Sequence, residues 1–373
     1  MHVVVPVLHR PSKPTGVCRH AVNLALCLSE TEPIKRVTLV IGDWQKTYFS
    51  TVFDLTSPKI NIVSVSIKNR TLTRNLWYLK GLPQLVNSLK SDIVHLSFPI
   101  PFLRSRFQAP VVATIHDLYP YECPDNFGYP QVWFNQCFLK QCIRASDGLA
   151  CVSQCTLGTL KTYFPNAPDH KKVDVIYNVV EFSQASPERP HQLTSHNNGP
   201  LLMTVAQHRK NKNLDLLIQA FSALIQAGQV KPNSRLVLVG STGPETEALH
   251  SLVESLQLTT NVMFLSGLKD EELKWLYSQA DLFIIPSSTE GFCLPLVEAM
   301  TFSCPAVCSD IPVFREVGDT RCRYFTLNEN AKNNLVEAMA AELNNSRKRE
   351  PYTETRFSRE AIAHRLLHFY QLL

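Results

Sequence analysis

The stretch PSSTEGFCLPLVEAM, residues 286–300, holds the residues whose types and spacing are best suited to chemistry. A buried strand is expected to end at Pro286, a polar loop carries Glu290, and a helix opens near Pro295, a favourable first helical position. Gly291, Phe292, Cys293 and Leu294 lead into that helix. Their backbone N–H groups are therefore expected at the positive end of its dipole, which suits an anion. Glu290 stands before this amide-rich turn and Glu298 one helical turn after it. Carboxylates do not bind phosphate, but they accept paired hydrogen bonds from sugar hydroxyls. Two carboxylates flanking a diphosphate describe a nucleotide sugar. The bland reading of the same residues is a capped helix with two solvated glutamates.

A second group lies in VAQHRKNKNLDLLIQAF, residues 205–221. Arg209, Lys210 and Lys212 occupy the turn after a strand, and Asn213 can cap the helix that follows. Cations at a helix N-terminus oppose its dipole unless an anion sits between them, so a phosphate is expected here. In VVATIHDLYP, residues 111–120, a buried strand delivers His116 and Asp117 at its carboxyl end. His116 can accept a hydrogen bond from a sugar hydroxyl. A lone histidine at a strand end is more often structural, and Asp117 can equally cap the next turn. The loop HRPSKPTGVCRH places Lys13 and Gly16 before an amphipathic helix, matching neither the Walker pattern nor GxGxxG.

The elements that must position these residues are short β-branched runs alternating with segments of helical period. In the first half, strands are expected at His2–Leu8, Arg36–Ile41, Asn61–Ile67, Asp92–Ser97, Pro110–Ile115, Leu149–Ser153 and Val173–Tyr177. Helices are expected at Cys18–Ser29, Leu72–Lys90, Gln131–Ala145 and Gln154–Phe164. Residues 181–200, EFSQASPERPHQLTSHNNGP, lack an apolar period and read as a linker. A second series follows: strands Leu201–Ala206, Arg235–Val239, Val262–Leu265, Leu282–Pro286 and Ala306–Ser309. Between them fall helices Asn213–Ala227, Glu245–Leu256, Asp270–Gln279 and Pro295–Thr301, with an amphipathic Ser358–Leu373 at the end. This alternation predicts an α/β fold of two Rossmann-like, doubly wound parallel-sheet domains, with ligand at the carboxyl ends of the strands.

Length points the same way, since 373 residues exceed the ~250–300 at which single cores stop growing. No apolar run approaches the ~18–20 residues needed to cross a bilayer, and MHVVVPVLHR has neither a basic start nor a small-residue cleavage site. Eleven scattered cysteines without CxxC pairs exclude a disulfide framework or zinc site by pattern, so reduced, buried thiols and a cytoplasmic location are expected. Residues 1–180 carry 19 Lys and Arg against 11 Asp and Glu, whereas residues 181–373 carry 18 against 21. A basic first half suits an anionic membrane surface or acidic acceptor, or simply solubility. A nucleic-acid pattern of interleaved aromatic and basic residues is missing, so no nucleic-acid partner is expected.

Together, EGFCLPLVEAM, the CPAVCSD strand at 304–310, IPVFREV at 311–317, the KN-helix, TIHDL and the terminal helix resemble the retaining GT-B glycosyltransferases of family four. The resemblance is strong over residues 200–320 and loose over 1–100. It implies an N-terminal acceptor domain over 1–180, a linker over 181–200 and a nucleotide-sugar donor domain over 201–355. It also implies a cleft between the domains and a helix over 356–373 returning to the N-terminal one. By resemblance Glu290 contacts the donor sugar and the reacting face, and Glu298 holds the ribose hydroxyls. Arg209 and Lys212 neutralise the leaving diphosphate, with Lys210 a possible substitute; His116 lies near the donor sugar, and Gly16 faces the phosphates. Residues 291–294 supply the amide-lined turn.

Such enzymes need no metal or other cofactor beyond the nucleotide-sugar co-substrate. TIHDL and the KN-helix are similar to those of bacterial mannosyltransferases of polysaccharide assembly, which inclines the donor to GDP-mannose and the acceptor to a glycan or lipid-linked hydroxyl. Peripheral attachment to the inner face of the membrane follows as an expectation. The alternatives are a nucleotide-sugar epimerase on the same fold and a non-catalytic nucleotide-sugar or membrane-binding protein. Three departures from the family pattern stand out: Cys293 replaces a second loop glycine, the first loop has one glycine instead of two, and Gln207 occupies the usual arginine position.

Overall fold

The computed structural model describes residues 1–9, 16–180, 186–193, 199–345 and 355–373. Two compact units emerge, Met1–Val179 with Glu354–Leu373, and Val180–Thr353.

In the first unit the strands are β1 (His2–Pro6), β2 (Arg36–Gly42), β3 (Ile60–Val65), β4 (Ile93–Leu96), β5 (Val111–Ile115), β6 (Gly148–Cys151) and β7 (Lys172–Val175). They form one parallel sheet in the order β3-β2-β1-β4-β5-β6-β7. The valine run of β1 is explained by burial on both faces. Val3 and Val5 pack with the helix Gly16–Ser29, while Val4 faces Tyr78 and Leu82 of the helix Thr71–Ser88. The last helix, Arg359–Gln371, lies on this same unit. Ile362, Leu366, Phe369 and Tyr370 enter the cluster around Gly16–Ser29, and Arg365 meets Asp174 at 2.5 Å.

The second unit holds β8 (Leu201–Val205), β9 (Arg235–Val239), β10 (Val262–Leu265), β11 (Leu282–Ile285), β12 (Ala306–Ser309) and β13 (Cys322–Phe325). Their order is β10-β9-β8-β11-β12-β13, again parallel. Leu217, Phe221 and Leu224 of the helix Leu214–Gln226 cover Leu202, Leu236 and Ile284.

Within the proposed linker, residues 181–185 and 194–198 lie outside the described residues. The stretch between them is attached to the second unit: Glu188 N donates to Glu271 O at 3.0 Å, and the Arg189 guanidinium lies 5.4 Å from the Trp275 ring centre.

Several elements exceed the sequence expectation, among them β13 and the helices Lys46–Val52, Pro312–Gly318 and Ala331–Leu343. CRYF in β13 is four residues with a charge inside, and AKNNLVEAMAAEL has only a weak apolar stripe, so neither announces itself by period. Eight of the eleven cysteines are buried, Cys123 and Cys155 are half-buried, and Cys137 is exposed. The expectation of buried thiols therefore fails at Cys137, on the outward side of the helix Gln131–Ala145.

Candidate functional site

The strand order of the second sheet reverses between β8 and β11, and doubly wound sheets bind ligand at that switch point. The loops leaving these two strands carry the two sequence groups of that half, and they are knitted together. Ser288 N donates to Asn211 O at 2.9 Å, Asn211 Nδ2 to Thr289 O at 3.3 Å, and Asn213 Nδ2 to Pro286 O at 2.8 Å. Asn213 is therefore not a side-chain cap as expected. It adopts a left-handed backbone with φ 48° and spends its amide on the facing loop.

That lacing brings Lys212 Nζ to 2.6 Å from Glu290 Oε1, with the side chains only 14% and 9% exposed. Ser287 Oγ donates to the same carboxylate oxygen at 2.8 Å. A buried ion pair repays its desolvation only with good geometry and further hydrogen bonds, and both are present. Arg209 begins the turn Lys210–Lys212 and is partly exposed, and Lys210 is exposed. From this turn Lys212 pairs with Glu290.

Gly291, Phe292 and Cys293 are buried, and the helix Leu294–Thr301 starts one residue before Pro295. Cys293 precedes it in the left-handed region at φ 69°. A residue with a Cβ there costs roughly 1–2 kcal/mol, so the glycine that the family pattern carries is replaced at a strained position. Burial first, and Glu290 next, push the Cys293 thiol well up, so it stays protonated and is no nucleophile. Glu298, on the second turn of this helix, accepts a hydrogen bond from the Tyr277 hydroxyl at 2.8 Å. Burial, reinforced by Glu298, raises the phenol far above its usual range, so Tyr277 keeps the proton it donates.

Sequence reading missed Ser287, Asn211 and Tyr277. It also missed Gly240 and Gly243 in the loop after β9. A Cβ at Gly240 would lie 1.9 Å from Ala206 O, and one at Gly243 would lie 2.3 Å from His208 O. Only glycine lets this loop lie against the backbone of the basic turn. The GSTG run was the available signal.

In the first unit, His116 follows β5 and its Nε2 donates to Ser97 O at 2.8 Å. Burial lowers its basicity, the Ser97 carbonyl and Asp117 opposing, so the ring is neutral at pH 7 with Nδ1 as the acceptor. Asp117 Oδ1 accepts from Tyr119 N at 3.1 Å, the turn-capping role. Gly16 opens the helix Gly16–Ser29, exposed, and a Cβ there would meet nothing within 4 Å. Lys13 lies outside the described residues. No cluster of metal-ligating side chains occurs among the described residues.

Comparison with known proteins places these motifs. The profile of Glycosyl transferases group 1 matches residues 186–359, and that of Glycosyltransferase Family 4 matches residues 14–184. The O-antigen chain mannosyltransferase RfbU of Salmonella typhimurium is 27% identical over 81% of this chain and 80% of its own. O-antigen chain mannosyltransferase B of Escherichia coli is 26% identical over 55% of this chain and 54% of its own. Among solved structures, the sucrose-phosphate synthase of Thermosynechococcus elongatus superposes with TM-score 0.70 at 17% identity, covering 100% of this chain and 98% of that one. WaaG, a glycosyltransferase of lipopolysaccharide biosynthesis, gives TM-score 0.68 at 18% identity, covering 100% of this chain and 95% of its own. At such identities the structures report the fold alone.

Proposed function

The chain belongs to the family 4 glycosyltransferases of the GT-B fold, and on that premise we propose that it moves a hexosyl group, mannose from GDP-mannose, to a hydroxyl of a glycan or lipid-linked acceptor with retention. The observation that carries the reading is the Lys212–Glu290 pair at the switch point of the second sheet. Lys212 supplies a cation for the leaving diphosphate, with Arg209 and the amides of residues 291–294 beside it. Glu290 and Glu298 supply acceptors for sugar hydroxyls, and His116 a neutral one. The bond between the anomeric carbon and the phosphate oxygen breaks, and the acceptor oxygen bonds to that carbon on the same face. Its proton passes to the departing phosphate, whose charge Lys212 and the helix N-terminus stabilise without a metal.

The mannosyl preference rests on the O-antigen mannosyltransferases among the relatives. The Anabaena HepE structures in complex with UDP and with UDP-glucose support a nucleotide-sugar donor in general. Among the described residues no helix is long and apolar enough to cross a membrane. For a membrane-proximal acceptor, the helix Gln131–Ala145 offers exposed Trp133, Phe134 and Phe138 next to Lys140 and Arg144, with Tyr129 89% exposed just before it. Aromatic rings beside cations suit the interface of an anionic bilayer.

The test is a screen of nucleotide sugars by thermal shift, followed by transfer to lipid-linked acceptors. GDP-mannose should stabilise the protein most, EDTA should leave transfer unchanged, and the product should keep the donor's anomeric configuration by NMR coupling. Stabilisation by none of the donors would remove the reading. Vesicles with anionic lipid should co-sediment the protein more than neutral ones, and equal partitioning would remove the membrane part.

A further inference from the structure

Behind His116 lies a buried polar chain that the reaction as described leaves unused. On β4, His95 has no exposure at all, and both of its ring nitrogens are engaged. Nδ1 lies 2.5 Å from the Tyr370 hydroxyl on the last helix, and Nε2 lies 2.8 Å from Thr114 Oγ1 on β5. The same Thr114 oxygen is 3.3 Å from Nε2 of His20, on the helix Gly16–Ser29. The His20 ring then meets the His116 ring edge to face, with centres 4.6 Å apart and planes at 86°. Four elements distant in sequence thus converge on the one residue of this unit that resemblance assigns to the sugar.

Proton counting gives the chain a direction. Burial raises the Tyr370 phenol well above its usual range, so it keeps its proton. Burial also holds His95 down to about 3, so this imidazole is neutral and carries a single N–H. Tyr370 is 3% exposed, and among the described residues His95 Nδ1 is its hydroxyl's hydrogen-bond partner. An undonated buried hydroxyl costs ~1–3 kcal/mol, so Tyr370 donates to Nδ1 and His95 carries its hydrogen on Nε2. His95 then donates to Thr114, and the Thr114 hydroxyl donates to His20 Nε2. His20 is left with its hydrogen on Nδ1. The buried Asn178, whose Oδ1 lacks a partner at full hydrogen-bond geometry, lies beside that ring as its acceptor neighbour.

We infer that His20 is a positioning residue for His116, fixed in one tautomer by a hydrogen-bond chain anchored at Tyr370 on the C-terminal helix. His20 holds the His116 ring from the side while Ser97 O holds it by Nε2, so Nδ1 of His116 presents one acceptor direction. The groups facing His116 are His20 from the first helix, His95 from β4 and Asp117 from its own loop. With His20 against one side, the partly buried His116 ring is neutral and keeps Nδ1 as its acceptor. The inference rests on the assignment of His116 proposed above, and its test separates the two.

The experiment compares the full-length wild type with His20→Ala, His20→Asn, Tyr370→Phe and His116→Ala. It reads kcat and KM for transfer from GDP-mannose, the pH profile, melting temperature and imidazole 15N shifts. Wild-type His20 should show hydrogen on Nδ1, and Tyr370→Phe should convert it to a tautomer mixture. His20→Ala should lower kcat about tenfold with donor KM unchanged, and should shift the acid limb of the profile toward pH 6.5 as the ring loses the packing of His20 and becomes more hydrated. His20→Asn, whose planar carboxamide keeps part of the ring's polar edge, should recover part of kcat. Unchanged kcat and profile in both His20→Ala and Tyr370→Phe, with His116→Ala impaired, would overturn the positioning role and leave His116 standing. An unimpaired His116→Ala would overturn both. A fall in activity that merely tracks melting temperature, with no shift of the profile, would also overturn it.

Discussion

The two sheets of this protein share one winding scheme, yet their functional ends are built from opposite materials. At the switch point of the second sheet, Lys212 pairs with Glu290 at short range, and Glu298 accepts from a neutral tyrosine hydroxyl. In the first sheet the corresponding polar cluster is three histidines, all pushed toward neutrality by burial. Charge is useful where a diphosphate departs, because its stabilisation grows as the bond breaks. Neutral imidazoles are useful where hydroxyls must be oriented without attracting phosphate. One topology therefore carries a charged cluster in one unit and a neutral, hydrogen-bonding cluster in the other.

The contrast breaks most sharply at Glu290. Glu290→Gln should lower transfer by about 10²–10³-fold, in the range of losing one preorganised transition-state contact, and should also lower the melting temperature, because Lys212 loses its buried ion-pair partner. A variant that transfers at the wild-type rate would empty the second site of its proposed chemistry. Lys212→Met should come next, with nucleoside diphosphate affinity and kcat/KM both down, since it removes the cation that meets the buried Glu290 carboxylate. Calorimetric titration with GDP reads the loss.

The neutral half is tested by pH. His95 titrates near 3 in the folded chain and near 6.5 when unfolded. Below pH 6.5 the unfolded chain takes a proton that the native chain refuses, so stability falls with pH until the native pKa is reached. The slope contributed by each such histidine is ~1.4 kcal/mol per pH unit. His20 and His116, lowered first of all by burial as well, add to the loss below pH 6.5. Urea unfolding at pH 7.5 and 5.0 should show the drop, and equal stability at the two values would contradict a buried neutral cluster.

Much of this was legible in the residues, and what was not has identifiable causes. The valine run of β1 and the apolar period of Leu214–Gln226 announce a strand and a helix because burial demands them. EGFCLPLVEAM was readable as a strand-to-helix turn flanked by carboxylates. The ion pair itself was not, because Lys212 and Glu290 are far apart in sequence and meet only through parallel pairing of β8 with β11. His20 and His95 carry no local signal either, since each is a lone histidine inside an apolar segment. Asn213 misled for a related reason: its sequence context fits a cap, while tertiary lacing claims its amide.

The smallest expected effects refine the charged half. Tyr277→Phe removes the hydroxyl that holds Glu298 and should raise donor KM about three- to tenfold with kcat nearly unchanged, consistent with ~1 kcal/mol for one hydrogen bond. Cys293→Gly should leave unfolding free energy within ~1 kcal/mol of wild type, because relief of the left-handed strain offsets the lost burial of the thiol. Chemical denaturation measures it.

The most direct test of the claim that the second sheet's switch point holds a diphosphate is the GDP-induced shift in melting temperature of wild type against Lys212→Met. Saturation at about 100 Kd should stabilise the wild type by ~2.7 kcal/mol and the variant by a small fraction of that. Equal shifts in the two proteins, or none in either with any nucleoside diphosphate, would contradict the account.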